Sequence, residues 1–266
     1  MEVRLFPNPF RPGVGLRPRR ESQRPLLPQH ARHCPVLEAG SALGFLVFPA
    51  LETNESFGIE FQGEGRYQFT YFLANAAGKW EPVFALAILL PMGGIGVVRE
   101  EVTFMLREPS ISHEDAKRLA RAFIVPEDLG TPAGAVTLRG ATSFQTPSGW
   151  DSVYTPVFNN IERPVAPMLV VRVETDWYAH DSEFRYVLLP GEGISGTHEL
   201  PIGQVFFVPR EEVTFRDCTD DELAAIRRSK EAFFREKAAQ RITTPYGLQY
   251  SPHYQRQSRA QKPGSR

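Results

Sequence analysis

Arg99–Glu100–Glu101–Val102–Thr103–Phe104 returns 111 residues later as Arg210–Glu211–Glu212–Val213–Thr214–Phe215. In a chain of 266 residues a six-letter identity arises by chance on the order of 0.001 times, so self-similarity is the first signal to weigh. Upstream, Leu90–Pro91–Met92–Gly93 is answered by Leu200–Pro201–Ile202–Gly203, with one extra residue before the second Arg. Gly44–Phe45, with Pro49 following, resembles Gly149–Trp150, with Pro156 following. The chain reads as duplicated. On a strand, Val102 and Phe104 would face a core with Glu100 at the rim, and Arg99, Glu101 and Thr103 would line the other face; Val213, Phe215, Glu211, Arg210, Glu212 and Thr214 repeat the pattern. Arg and Glu two apart can pair laterally, worth roughly 0.2–1 kcal/mol. A carboxylate pair meeting at a pseudo-twofold axis is the functional alternative. Structural ion pairs are far commoner, and the hexapeptide is read as closing each half.

Outward from the first copy the pattern is β. Gly44–Pro49, Phe57–Gln62, Arg66–Leu73 and Val83–Leu90 are rich in Phe, Tyr, Val and Ile and are parted by Gly or Asn turns. A turn at Pro91–Gly94 leads into a strand over Ile95–Met105. Ser112 then caps a short helix, 112–123, with Ala116, Leu119, Ala120 and Phe123 on one face. Behind the linker 126–134, strands are expected at Ala135–Leu138, Thr142–Gln145, Ser152–Phe158, Met168–Trp177, Glu183–Leu189 and Gly203–Phe215. Thr219–Asp220–Asp221–Glu222 is a capping box opening a helix to about residue 241, whose stripe Leu223, Ile226, Lys230, Phe233, Lys237 is interrupted by lysines. Gly63–Glu64–Gly65 and Gly191–Glu192–Gly193 read as hairpin turns. The expected organisation is an extended Pro/Arg-rich arm (1–35, with Met1–Phe6 able to pair as an edge strand), a first β unit with its helix (36–125), the linker, a second β unit (135–218), a C-terminal helix (219–244) and a basic tail (245–266).

Net charge is −1, but it is unevenly placed. Residues 1–33 carry seven Arg against Glu2 and Glu21, and 246–266 carry four cations and no acid, which leaves the body near −10. Such tails can be solvated, can embrace a neighbouring copy in a homo-oligomer, or can meet nucleic acid; the last is not expected, since overall charge does not favour a polyanion. Tyr246, Tyr250 and Tyr254 among basic residues are read as a tail docking on the body or on a neighbouring copy rather than as a stacking platform. The first residues hold no apolar signal-peptide core, and the uncharged run Pro82–Val98 is broken by Pro91 and three glycines, so neither secretion nor a membrane span is expected. Two distant cysteines, Cys34 and Cys218, fit free thiols in the cytoplasm.

Function is sought where the halves differ. Only the second carries Arg172, Glu174 and Asp176 on one strand face, and His180–Asp181 and His198–Glu199 in turns. Arg172, Glu174 and Asp176 are candidate ligand-binding residues, with a self-neutralising ion-paired face as their bland alternative. His180, Asp181 and His198 are candidate ligands for a divalent metal, Fe or Zn, against solvated loop histidines; the set lacks the His-x-His or His-x-Asp/Glu spacing that a strand-borne site uses. Trp177 falls with Val171, Val173 and Thr175 on the apolar face and is read as core. No G-x-S-x-G, Walker loop, G-x-G-x-x-G or paired CxxC occurs.

Through Phe144–Gln145–Thr146–Pro147–Ser148–Gly149–Trp150, then Asn159–Asn160, then Val173–Glu174–Thr175–Asp176–Trp177, the chain resembles an uncharacterised bacterial protein family sharing an aromatic-x-Thr-Pro-x-Gly element, a following Asn and a Val-Glu-Thr-Asp-Trp strand. The likeness covers mainly residues 140–210, and the first half departs from it around Met92–Val98. It implies a β-rich fold and no particular reaction. The expectation is therefore a mainly β protein of two similar antiparallel units forming a barrel or sandwich, cupin- or jelly-roll-like, each followed by a helix. Its function is read as small-molecule binding in the second half, with a metal-dependent, non-haem iron oxygenase-like enzyme as one form of it. The alternative is an assembly protein that oligomerises through its basic arms.

Overall fold

The computed structural model describes residues 1–20, 34–91, 96–105, 111–160, 168–243, 247 and 249–261; most of the expected Pro91–Gly94 turn, residues 21–33 of the arm and 262–266 of the tail lie outside the described residues. Two units are distinct, a body of Met1–Glu211 and a C-terminal unit of Glu212–Arg266. In the body the order begins β1 (Arg4–Pro7), α1 (Pro35–Ser41), β2 (Phe45–Val47), β3 (Glu55–Gly63), β4 (Arg66–Ala74), β5 (Trp80–Leu89), β6 (Arg99–Phe104) and α2 (His113–Ala120). It continues with β7 (Ala135–Arg139), β8 (Thr142–Gln145), β9 (Trp150–Thr155), β10 (Met168–Leu169), β11 (Val171–Val173), β12 (Glu183–Val187), β13 (Glu192–Thr197) and β14 (Gly203–Pro209). Every pairing is antiparallel. The sheets run β13-β3-β4-β5-β6, β11-β9-β14-β2, β10-β12-β7 and β1-β8.

The core follows from alternation. Phe57, Ile59 and Phe61 on β3, Tyr67, Phe69 and Tyr71 on β4, and Phe84, Leu86 and Ile88 on β5 are all buried on one face. Phe123, just beyond α2, plugs that face, its ring 5.2 Å from Phe57, 6.1 Å from Phe69 and 6.2 Å from Tyr71. The Ser112 hydroxyl accepts from the Asp115 amide, and Ala116 and Ala120 turn inward, so the cap and the small residues aim Phe123 at the sheet. Each such side chain contributes about 1.5–3 kcal/mol through burial.

The mainly β, antiparallel expectation stands, but among the described residues no sheet closes on itself into a barrel. Nor do the halves make two separate units. β2, from the first half, pairs with β14, and β13, from the second, pairs with β3. The two hexapeptides also part company. Arg99–Phe104 is β6, an edge strand with Val102 buried and Arg99 Nη2 2.6 Å from Glu101 Oε2, the lateral pair expected of it. Arg210–Phe215 is not a strand: β14 ends at Pro209, which offers no amide hydrogen, and Val213 and Phe215 are exposed instead of facing a core. β13 falls where the sequence suggests only the hairpin turn Gly191–Glu192–Gly193. Its glycines make room: a Cβ at Gly196 would stand 2.3 Å from the Phe57 ring, so the strand can lie on β3 only without one.

The first twenty residues are docked rather than a free arm. β1 pairs with β8. The fully buried Asn8 donates from Nδ2 to the Ala122 (2.9 Å) and Gly140 (3.0 Å) carbonyls, and its Oδ1 accepts from the Phe10 (2.9 Å) and Arg11 (3.2 Å) amides. Arg11 forks onto Glu55 at 2.6 and 2.9 Å, and the Tyr71 hydroxyl donates to the same carboxylate at 2.5 Å. Burial alone would raise the Glu55 pKa; the bonds from Arg11, the Glu52 amide and Tyr71 outweigh it and hold the carboxyl below its ordinary value.

In the C-terminal unit, α3 (Asp220–Ala239) opens with the expected capping box: Thr219 Oγ1 accepts from the Glu222 amide, and Glu222 Oε2 accepts from the Thr219 amide at 2.9 Å. A two-residue hairpin pair, β15 (Ile242–Thr243) with β16 (Gln249–Tyr250), and a short helix α4 (His253–Ala260) follow. Among the described residues no helix is long and apolar enough to cross a membrane.

Asn8→Ala would leave two buried carbonyls and two amides without partners, and is predicted to cost roughly 2–4 kcal/mol in urea unfolding. A loss under about 0.5 kcal/mol, the level of an ordinary surface change, would show that the segment is not docked.

Candidate functional site

The strand expected over Met168–Trp177 breaks at Val170, and the break makes a cleft. β10 belongs to the sheet of β12, whereas β11 belongs to the sheet of β9, so the chain crosses between two sheets within six residues. It then turns at Glu174–Tyr178, the Tyr178 amide donating to the Glu174 carbonyl at 3.0 Å. The cleft so formed has a volume of about 330 Å³. Tyr154 of β9, Arg172 of β11, Glu183 and Arg185 of β12, Glu174, Trp177, Tyr178 and His180 of the turn, and Asp128 line it.

Beneath the turn lies Asp151, 1% exposed. Its Oδ2 takes the Arg172 Nε at 2.6 Å, and its Oδ1 takes Arg210 Nη2 at 2.5 Å and Nε at 3.0 Å. The Arg210 hydrogen bond is the largest influence on Asp151; with Arg172 it overcomes the opposing cost of burial and depresses the carboxyl pKa. Arg210 reaches further, to Asp176 Oδ1 at 2.7 Å, while Asp176 Oδ2 accepts from the Gly149 amide at 2.9 Å. Both contacts lower the Asp176 pKa, Arg210 the more. Glu174 lies 3.8 Å from Arg210 and accepts from the Trp177 indole at 2.5 Å. The three ligand-binding candidates therefore separate: Arg172 and Glu174 line the cleft, and Asp176 holds the turn from behind. Trp177 is not core; it is 69% exposed, because its indole is drawn to Glu174 at the cleft wall.

On the opposite wall Glu183 is largely buried, with Arg139 Nη2 at 3.3 Å and His180 Nε2 at 3.5 Å. Burial is the strongest influence and raises its pKa despite the pull of His180 and Arg139. His180 Nδ1 lies 2.6 Å from the Asp181 carbonyl, which can only accept, so this nitrogen carries the hydrogen and Nε2 is left facing Glu183. Between the walls Tyr154 is 1% exposed. Burial pushes its phenol up to about 12, although Ser182 and Ser152 nearby pull the other way, and its hydroxyl makes no well-formed hydrogen bond among the described residues.

The metal candidates are not assembled. Asp181 turns to Arg139 Nε at 3.3 Å, His198 Nδ1 lies 2.6 Å from the Leu51 carbonyl away from the cleft lining, and only His180 reaches the cleft. Among the described residues no group of three His, Cys, Asp or Glu side chains could hold a metal ion, so no step is derived through one. Glu183, Arg185, Tyr154 and Asp151 were not foreseen. The signal for two of them was present in Glu183–Phe184–Arg185–Tyr186, whose alternation sends Phe184 and Tyr186 inward and the charges to the other face. No family model, curated protein or solved structure matches this chain.

Asp151→Asn should destabilise the body by roughly 1–3 kcal/mol near neutral pH, because two guanidiniums lose their shared anion. The folded pKa of Asp151 is depressed, so its contribution is complete above about pH 4 and fades as pH falls through the lower folded value. Thermal unfolding of the variant should therefore lose part of the acid limb of the wild-type profile; an unchanged profile would contradict the assignment.

Proposed function

We propose that the cleft binds a small polar molecule carrying a ring or other flat part, and that Glu183 exchanges a proton with it. The observation that carries this reading is a largely buried carboxyl whose pKa burial raises, in the same 330 Å³ cleft as two anchored guanidiniums and an exposed aromatic pair. Trp177 and Tyr178, ring centroids 5.8 Å apart and both exposed, supply a flat wall for a ring. Arg172 and Arg185 are anchored by Asp151 and Asp128 respectively, so their remaining N–H groups are held in place for acceptor atoms.

The chemistry that fits is general acid–base catalysis. A carboxyl whose pKa burial raises is suited to hand a proton to a bound molecule, and His180 Nε2 lies 3.5 Å from it. Arg139 and Asp181 position this pair and need not touch a ligand.

A thermal-shift screen with monosaccharides, aromatic carboxylates and nucleosides should return a ligand that stabilises the wild type. Trp177→Ala and Glu183→Gln should each weaken it by about tenfold or more, the equivalent of about 1.4 kcal/mol, in calorimetric titration. A ligand bound equally well by both variants would place binding elsewhere.

A further inference from the structure

Charge around the cleft is unevenly matched. Of the side chains that line it, Arg172 and Arg185 are cations, and Asp128, Glu174 and Glu183 are carboxyls. Each guanidinium already faces an anion. Arg172 has the buried Asp151 at 2.6 Å, and Arg185 has Asp128 while its Nε donates to Thr137 Oγ1 at 3.1 Å. Glu174 and Glu183 are less well served. Arg210 is 3.8 Å from Glu174 and is committed to Asp151 and Asp176. Arg139 stands between Glu183 and Asp181, 3.3 Å from each. Carboxyls therefore outnumber guanidiniums around the cleft, and they still do so when Glu183 keeps a proton.

A run of rings joins those two carboxyls. The Trp177 indole donates to Glu174 Oε2 at 2.5 Å, and the Tyr178 ring centroid is 5.8 Å from that of Trp177. The His180 ring follows at 5.2 Å from Tyr178, and its Nε2 is 3.5 Å from Glu183. Trp177 and Tyr178 are 69% and 49% exposed, so the run is open to a ligand. The face of an aromatic ring is the negative side of its quadrupole and attracts a cation, Trp most strongly. Carboxylates beside such faces add to that attraction, and both repel an anion. We propose that the molecule bound in the cleft carries an organic ammonium group, seated on Trp177 and Tyr178 and paired with Glu174. This rests on the cleft being the binding site. The remaining N–H groups of Arg172 and Arg185, each with an anion at hand, then serve neutral acceptor atoms of the same molecule.

Benzylamine, benzyl alcohol and benzoate share a ring and differ in charge at neutral pH. In ligand-observed NMR titrations of the full chain at low salt, benzylamine should bind about tenfold more tightly than either of the others. Glu174→Gln should weaken it by about fivefold and Trp177→Leu by about tenfold, with thermal midpoints showing both variants folded. Benzoate or benzyl alcohol bound as tightly as benzylamine, and lost in Trp177→Leu, would overturn the ammonium assignment while leaving the cleft as a binding site. Benzylamine bound equally well by both variants would sit outside the cleft and overturn the inference together with the reading of the cleft on which it rests. No binding of benzylamine up to about 10 mM would overturn the ammonium assignment alone.

Discussion

A carboxylate taken out of water must be met by cations or give up its charge, and Asp151 is met twice, by Arg172 and by Arg210. The consequences run through the cleft. Arg172 is fixed on one wall, and Arg210, recruited from the end of β14, reaches past Asp151 to Asp176 and fastens the turn that follows β11. That turn presents Glu174, Trp177 and Tyr178. Without the buried anion, nothing else among the described contacts would hold Arg172 and Arg210 side by side, and the turn would keep only its ties through Asp176 to the Gly149 amide and through Thr175 to Thr146 and Ser152. The second hexapeptide owes its character to this contact: its Arg belongs to the site, whereas the Arg of the first copy makes only a surface pair with Glu101.

The body around the cleft is built for rigidity. The aromatic face of β3, β4 and β5 closes on Phe123, and the segment from β1 to Arg11 is tied to it through Asn8, Glu55 and Tyr71. Strands are exchanged between the halves, β2 to the sheet of β9 and β13 to that of β3, so neither half could fold as an independent unit with its present pairings. A likeness in sequence between two halves is compatible with this, but the pairings do not repeat: β5 and β6 are neighbours in one sheet, while β13 and β14 lie in different sheets.

Alternation made much of the strand pattern legible. Thr142–Gln145 is β8 at its expected bounds, and β3, β4 and β5 fall within a few residues of theirs, because one face of each is apolar and the other polar. Capping residues located α2 and α3 for the same local reason. What escaped depended on partners distant in sequence. β13 is disguised by glycines whose purpose is Phe57, more than a hundred residues away. The break at Val170 has no local signal, since Leu169, Val170 and Val171 carry the apolar run straight across it and only sheet membership changes. Trp177 looked like core by periodicity, but the strand had already ended at Val173. Of the site, Arg172, Glu174 and His180 were read from their polarity in one half only; Glu183 and Tyr154 hide in strands whose composition is ordinary.

The chemistry proposed for the cleft turns on one group. Glu183 is a carboxyl that burial makes reluctant to ionise, set 3.5 Å from an imidazole whose other nitrogen is committed to a carbonyl. Its folded pKa lies above its unfolded one, so ionising it costs stability as pH rises from the ordinary glutamate value to the folded one. The direct measurement is a carbon-detected NMR titration of the glutamate side-chain carboxyls, with Glu183→Gln used to assign the resonance. A midpoint for Glu183 above the ordinary value of 4.5 is the expected result. A midpoint at or below that value would mean the carboxyl is solvated and ionised like any surface glutamate, and would contradict the account of the cleft as an acid–base site.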